Sequence, residues 1–195
     1  GVLCGAYTAK ERLCLGVWQL YQAPPPHSEQ TRLGMVAERH SIVALEPSLA
    51  LKPLALAPSP DGAFAAVLCT NKDAPQQRCV VLVDLATATP ALWLPGASTT
   101  ARAVRLPAGR SRPVHLAWHP APPHAHSWLA VLASDGAIAV FDAAHAMRCP
   151  DEKPLRLLEP PPAAPHERAV CFSFVNGGAA ALVCHATGTA VLHNT

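Results

Sequence analysis

Residues 114–142 read VHLAWHPAPPHAHSWLAVLASDGAIAVFD, and their pattern of apolar runs and turns is the strongest indication of the fold. It contains three short apolar runs, at 114–118, 128–133 and 137–141. Short apolar runs bounded by turn residues predict buried β-strands. Asp135-Gly136 separates the last two runs and predicts a tight hairpin turn, because glycine readily adopts the positive φ that such a turn needs. The run at 155–158 predicts a fourth strand, so the stretch reads as an antiparallel unit.

The same order of elements recurs along the chain. Units beginning at Pro53, Val114 and Ala169 each run from a short strand through a turn into an apolar strand, at a spacing of roughly 55 to 60 residues. Thr187-Gly188 in the last unit has the same place as Asp135-Gly136 in the middle unit. In the first unit, Asp61-Gly62 forms the earlier turn, between the first two strands. Four antiparallel strands repeated at about 40–50 residues, plus loop insertions, are the pattern of a β-propeller. A β-sandwich would use similar strands without this repeated order.

We therefore predict an all-β fold, a partial β-propeller with about three to four blades of four antiparallel strands. Closed propellers have four to eight blades, so we expect residues 1–195 to be a fragment of one propeller domain. The candidate blades are about 1–50, 53–110, 113–160 and 168–195. Further strands are predicted at 12–21, 40–45, 54–57, 63–69, 79–85, 169–174, 179–184 and 189–193. Alanine is discounted as a helix signal because the whole chain is rich in Ala and Pro.

Composition excludes several classes of protein. The formal net charge is only +2, and the densest basic group, Arg102 to Arg112, is interrupted by apolar residues, Gly and Pro. This distribution of charge argues against sequence-specific nucleic-acid binding. No apolar run approaches the length of a membrane span, so we expect no membrane insertion. The seven cysteines are odd in number and form no Cys-x-x-Cys motif, which favours buried free thiols in a reducing compartment.

Four histidines lie close together in the opening stretch: His115, His119, His124 and His126. A His-x-x-x-His pair binds metal on a helix, where both side chains share a face. Pro120 does not allow a helix to continue here, and on a strand the first two would lie about 13 Å apart. We therefore predict no metal site, and interpret the histidines as neutral side chains at a strand end and in a solvated loop.

Catalytic motifs are also missing from the sequence. It contains neither a Gly-x-Ser-x-Gly elbow nor a phosphate-binding Gly-rich loop, and Gly177-Gly178 fits a hairpin turn. Asp151-Glu152 reads as a solvated charge cluster. We predict no catalytic residue, no cofactor and no enzyme activity. The Pro-rich segments 23–27 and 159–165 read as extended connections, and the PxxP in the second has an SH3 ligand as its alternative. Four tryptophans near strand ends are expected to pack between blades, with a partner hot spot as the alternative: Trp18, Trp93, Trp118 and Trp128.

The unit at 114–142 resembles a blade of WD-type propeller proteins. More narrowly, it resembles the N-terminal propeller of the cytoplasmic-face nucleoporin, the Nup-eighty-eight/Nup-eighty-two family. The matching residues are Trp118, Pro120, 129–132, Ser134, Asp135 and 138–141, and residues 54–68 look like that family's preceding blade. The His- and Pro-rich segment 121–127 departs from the family, and the family's C-terminal coiled coil is absent from this chain.

The resemblance implies a non-enzymatic scaffold at the cytoplasmic face of the nuclear pore complex, in the nuclear envelope. It would act in mRNA export and in protein import and export by anchoring other nucleoporins. Its partners would be the folded C-terminal domain of a Phe-Gly-repeat nucleoporin and coiled-coil nucleoporins. A WD-repeat adaptor in another multiprotein complex is the alternative, and a propeller enzyme is a third. Binding is expected at the loops 121–127, 147–154 and 160–166.

Overall fold

The computed structural model describes residues 2–9, 12–22, 35–44, 51–85, 101–104, 106, 112–120, 127–149, 153–160 and 167–195. Most of these residues lie in β-strands, which confirms the all-β prediction. The strands are β1 (Val2–Ala9), β2 (Arg12–Gln22), β3 (Met35–Ala44), β4 (Leu51–Pro58), β5 (Phe64–Asn71), β6 (Arg78–Asp84), β7 (Ala101–Val104), β8 (Pro113–Trp118), β9 (Trp128–Ala133), β10 (Ile138–Asp142), β11 (Arg156–Leu158), β12 (Ala169–Val175), β13 (Ala180–His185) and β14 (Ala190–Asn194).

The strands form four antiparallel sheets in which each strand pairs with its neighbour along the chain. The first sheet is β1-β2-β3, the second β4-β5-β6-β7, the third β8-β9-β10-β11 and the fourth β12-β13-β14. Every predicted strand is present. The second sheet begins at Leu51, two residues before the predicted range 53–110, and the other three sheets lie within 1–50, 113–160 and 168–195. Sequence reasoning missed β1 and β7. The ARAV of β7 is short, and three of its four residues are neither β-branched nor aromatic.

One short helix, α1 (Ala143–Arg148), follows β10 and was not predicted. Asp142 caps it by accepting a hydrogen bond from the backbone N–H of His145 at 3.0 Å. The alanines that the sequence reasoning discounted are helix formers at this place. The prediction of a loop over 147–154 is therefore wrong at its start, because Met147 and Arg148 belong to the helix.

The predicted Gly turns carry the backbone conformation expected of them. Gly136 and Gly188 have φ of 92° and 89° in the turns before β10 and β14. A positive φ is costly for any residue with a Cβ. Asp135 accepts a hydrogen bond from the backbone N–H of Ala137 at 3.1 Å, the local bond expected of Asp in such a turn. These turns fix the register of the third and fourth sheets.

The four sheets pack face to face in chain order, because both faces of the middle sheets are apolar. Leu15 of the first sheet packs on one face of the second, which presents Val67 and Val83. The opposite face of the second sheet meets the third in a larger core. That core contains Ala66, Leu68, Val80, Leu82, Leu116, Trp118, Leu129, Val131, Ala139, Phe141, Ala143 and Ala146.

The third sheet packs on the fourth with its remaining face. Leu132, Val140 and Val183 are buried in this core, with exposed fractions of 0%, 6% and 0%. Phe172 lies opposite them on β12. The alternation along β8 follows the two-residue period of a strand: Leu116 and Trp118 face the second sheet, and Ala117 faces the fourth.

The first strands of neighbouring sheets lie beside one another: β1 contacts β4, β4 contacts β8, and β8 contacts β12. Each of these strands is an edge of its own sheet. Away from that edge, α1 contacts β6 and β7 of the second sheet. The sheets therefore share one common edge, which is the arrangement that consecutive blades take around a propeller axis.

Candidate functional site

The connections between strands emerge at two opposite ends of the sheet stack. Because the strands alternate in direction, the turn 59–63, the segment between β8 and β9, helix α1 and the turn 176–179 all lie at one end, here called the loop end. The turns 72–77, 134–137 and 186–189 lie at the other, here called the turn end. Contacts support this assignment: Ser127 bonds Asp61 at the loop end, and Arg112 bonds Gln76 at the turn end.

The loop end is held together by hydrogen bonds between neighbouring sheets, and Trp118 makes the first. It lies at the end of β8, and its indole Nε1 donates to the backbone carbonyl of Ala57 in the second sheet at 2.8 Å. Its ring stacks on Phe64 with the ring centroids 6.4 Å apart. Only 9% of Trp118 is exposed. This confirms the prediction that it packs between sheets, and its burial excludes it as an open binding hot spot.

Asp61 makes the second connection, from the turn before β5. Its carboxylate accepts hydrogen bonds from the hydroxyls of Ser59, at 2.5 Å, and Ser127, and from the backbone N–H of Ala63 at 3.0 Å. Burial opposes ionisation of Asp61, but the hydrogen bonds from Ser127, Ser59 and Ala63 outweigh it and lower the pKa of this carboxyl. Asp61 therefore ties the second sheet to the residue at which the chain re-enters the third.

His119 makes the third connection, to the fourth sheet. Its Nε2 lies 3.1 Å from the carbonyl oxygen of Gly178, and its ring packs edge-on against Phe174 and Trp128 with centroids 4.7 and 5.4 Å away. Gly178 has φ of 99°, and a Cβ there would overlap the His119 ring. Only glycine fits this place, which explains the second Gly of Gly177-Gly178.

The prediction of solvated histidines is wrong for His115 and His119. His115 points toward the fourth sheet, where its ring packs edge-on against Phe172 at 5.5 Å. Burial lowers the pKa of His115, so it is neutral at pH 7, as predicted. Its Nδ1 is buried and has no hydrogen-bond partner among the described residues. Both rings thus pack between sheets. His124 and His126 lie outside the described residues.

The turn end carries three arginines, Arg78, Arg112 and Arg168. The Arg112 guanidinium donates to the side-chain oxygen of Gln76 at 2.5 Å. The backbone carbonyl of Arg112 accepts from Ser134, and the carbonyl of Ser134 accepts from Ala169, next to Arg168. Burial and the charges of Arg112 and Arg168 lower the pKa of Arg78. The three arginines therefore lie near one another at this end.

The described residues contain no cluster of side chains placed to bind a metal ion. Among their free thiols, Cys69 is buried, as expected, whereas the exposed Cys171 contradicts the expectation of buried thiols. Within the same residues, no helix is long and apolar enough to cross a membrane. The chemistry that the described site supports is hydrogen bonding and packing between sheets.

The predicted binding loops are divided between the two ends. Segment 121–126 lies outside the described residues, but it departs after Pro120 and returns at Ser127, both at the loop end. The remainder of the second predicted loop returns through Lys153 and Pro154 toward β11 from that same end. Segment 161–166 is also outside the described residues, and its neighbours Pro160 and Glu167 lie at the turn end, where a Cβ on Gly136 would lie 3.6 Å from the Pro160 side chain.

Sequence reasoning missed Asp61 and Gly178 as contacts between sheets. Asp61 was read only as a turn residue, and the Gly177-Gly178 pair only as a hairpin turn. Trp93 lies outside the described residues, and the side chain of Trp18 is likewise outside them. A search against protein-family models found no match, and a search of curated proteins found none either.

Proposed function

We propose that this chain is part of a β-propeller that serves as a non-enzymatic scaffold for other proteins. Three features support the proposal: four antiparallel sheets packed face to face, a common edge formed by their first strands, and hydrogen bonds that join the sheets at the loop end. The hydrogen bonds between sheets at the loop end are the main support for this proposal. A rigid end with segments projecting from it is how scaffolds position binding loops.

More narrowly, we propose a nucleoporin propeller at the cytoplasmic face of the nuclear pore complex, which anchors other nucleoporins for mRNA export and protein transport. The support is the resemblance at Trp118, Pro120, Ser134 and Asp135. Trp118 is the residue that joins two sheets, and Ser134-Asp135 forms the turn before β10. These residues would have the same structural roles in any propeller. The nucleoporin assignment therefore depends on capture of a nuclear-pore partner.

The division of the loops between two ends sharpens the expected mode of binding. The sheet stack separates the loop end from the turn end, so one small folded partner contacts one end. The described residues that flank 121–126 and 150–152 lie at the loop end, and those that flank 161–166 lie at the turn end. We propose that the loop end is the binding end, because three connections between sheets hold it in place.

The test is capture of the folded C-terminal domain of a Phe-Gly-repeat nucleoporin. The chain is compared with two variants in which 121–126 or 161–166 is replaced by Gly and Ser residues of equal number. We expect the first replacement to weaken capture at least about tenfold, equivalent to about 1.4 kcal/mol, and the second to leave it unchanged. Circular dichroism of both variants should keep the β-rich spectrum.

Two results would contradict these proposals separately. Equal capture by both variants and the parent would remove the loop end as the binding end. Failure of the parent chain to retain any pore component would remove the nucleoporin assignment and favour the WD-repeat adaptor in another complex. In that case the proposal of a propeller scaffold with sheets joined at the loop end is retained, and its partner is sought by identifying the proteins that co-purify with it.

A further inference from the structure

Three arginines from three consecutive sheets lie together at the turn end. Arg78 is the first residue of β6, Arg112 directly precedes β8, and Arg168 directly precedes β12. Val80 and Leu82 pack against the third sheet. Because side chains two residues apart on a strand share a face, Arg78 also faces the third sheet. It therefore lies where the seam between the second and third sheets opens at the turn end.

Hydrogen bonds place the other two arginines beside this seam. The Arg112 guanidinium reaches across it and donates to the side chain of Gln76, in the turn before β6. The backbone carbonyl of Arg112 accepts from the N–H of Ser134, and the carbonyl of Ser134 accepts from the N–H of Ala169, each at 3.0 Å. Ser134 thus joins the segment that carries Arg112 to the segment that carries Arg168.

The described part of the chain leaves the charge of Arg78 uncompensated. Among the described residues, the charges that act on Arg78 are those of Arg112 and Arg168, and together with burial they lower its pKa. The buried Nε of Arg78 has no hydrogen-bond partner among the same residues. Three cations held near one another repel, and a bound anion would remove that repulsion.

Two carboxylates at the turn end are held to the turns themselves. Asp135 accepts a hydrogen bond from the N–H of Ala137 at 3.1 Å, in the turn before β10. Glu167, the residue before Arg168, accepts a hydrogen bond from the hydroxyl of Thr187, in the turn before β14. These bonds fix the positions of both carboxylates without using the Arg78 guanidinium.

The chemistry of three guanidiniums indicates the class of anion. A guanidinium presents a planar fork of N–H groups that donates paired hydrogen bonds to phosphate oxygens. A phosphate ester carries a charge of about −1.5 to −2 at pH 7 and has three acceptor oxygens. It can therefore accept hydrogen bonds from three arginines at once. A single carboxylate has one negative charge and two oxygens, so it would leave one arginine without a partner.

We propose that Arg78, Arg112 and Arg168 form a binding site at the turn end for the phosphate group of a phosphate monoester. Arg78 and Arg112 are half-buried at the seam between sheets, and Arg168 is exposed beside them. The sheet stack separates this site from the loop end, so the site does not depend on the proposed scaffold function. A small metabolite or a phosphorylated side chain of another protein can carry the phosphate.

Isothermal titration calorimetry in phosphate-free buffer at constant ionic strength tests the site. The probes are inorganic phosphate, a short peptide with one phosphoserine, and the same peptide without phosphate. We expect the chain to bind phosphate and the phosphopeptide at one site and to show no binding of the unphosphorylated peptide. Tighter binding of the phosphopeptide than of phosphate indicates a phosphorylated protein as the source, and equal affinity indicates a small phosphate ester.

Variants with matched charge separate this site from general positive charge. Arg168→Ala should weaken phosphate binding at least about tenfold, because it removes hydrogen bonds to a charged group. Arg78→Lys should have a similar effect, since it keeps the charge but loses the planar fork. The control is Arg148→Ala on the exposed end of α1, at the loop end, which removes one charge and should leave binding unchanged.

Two results would overturn the proposal. The first is a parent chain that binds neither phosphate nor the phosphopeptide. The second is an equal loss of affinity in Arg168→Ala and Arg148→Ala, which would show that binding follows net charge alone. Circular dichroism checks that each variant keeps its β-structure. Because Arg168 is exposed, its replacement leaves the core intact, and the test holds even if Arg78→Lys does not fold.

Discussion

Replacing Leu132 by Ala tests the packing of the third sheet on the fourth. Leu132 lies in β9, opposite His115 on one side and Ile138 on the other, and its exposed fraction is 0%. It belongs to the core that Phe172, Ala181 and Val183 form from the fourth sheet. Truncation to Ala therefore removes apolar contacts between the third sheet and the fourth.

The magnitude follows from the atoms removed. Leu→Ala deletes three carbons, and each buried methylene contributes about 0.8 kcal/mol of transfer free energy, so the loss is about 2.4 kcal/mol. A cavity adds to this where the surroundings cannot collapse, and sheets on both sides resist collapse. We expect a total loss in the free energy of unfolding of about 3 kcal/mol, within the range of about 2–5 kcal/mol seen for buried leucines.

Urea unfolding followed by circular dichroism and tryptophan fluorescence measures this loss, provided that the two transitions coincide. The matched control is Leu192→Ala, on the outer face of the fourth sheet, where 55% of the side chain is exposed. The control should lose only about 1 kcal/mol, because truncating this half-exposed side chain leaves no cavity and forfeits about half of the transfer free energy. A loss below about 0.5 kcal/mol for Leu132→Ala would refute the packing of these two sheets.

Three further predictions concern the loop end and the histidines. Asp61→Ala should destabilise the chain by about 0.5–1.5 kcal/mol, because it removes the hydrogen bonds that the carboxylate accepts from the Ser127 and Ser59 hydroxyls. A double-mutant cycle with Ser127→Ala should show coupling, and strict additivity would contradict the contact. Burial holds the pKa of His115 in the folded chain below its ordinary value of 6.5. As the pH falls, the unfolded chain therefore takes up a proton at this residue before the folded chain does. The stability contributed by the neutral ring is thus complete above the ordinary pKa and is lost as the pH falls below it. His115→Gln should therefore lose less stability than the parent between about pH 7.5 and about pH 5.5 in urea unfolding, and an equal loss would count against a buried neutral ring. The purified chain should contain no stoichiometric zinc by elemental analysis, and chelator should leave its melting temperature unchanged; tight binding of one zinc per chain would show that the histidine-rich stretch is a metal site after all.

Local patterns in the sequence predicted most of the strands because strand formation depends on features only a few residues apart. The run 128–133, the Asp135-Gly136 turn and the run 137–141 define a hairpin without knowledge of the rest of the chain. The same reasoning failed for α1, where the Asp142 cap is a local signal hidden in an Ala-rich chain. It also failed for β7, which carries little strand signal of its own and pairs with β6 across a long connection.

The contacts that define the candidate site could not be predicted in this way. Asp61 and Ser127 are 66 positions apart, and Trp118 is 61 positions from Ala57. Nothing in either local sequence records that the other residue is near. The histidines show the same limitation, because spacing alone does not reveal that a second sheet carrying Phe172 and Phe174 covers His115 and His119.

The amino-acid sequence by itself determined that the chain is all-β, where most strands begin and end, and which turns need glycine, because these depend on the alternation of apolar residues and on local backbone preferences. Only the tertiary structure decided which face of each strand meets which sheet and which loops share an end. It also decided that Cys171 and Cys184 oppose each other on neighbouring strands. Those outcomes depend on register and on packing between distant segments, and a shift of one residue in register would move every side chain to the opposite face.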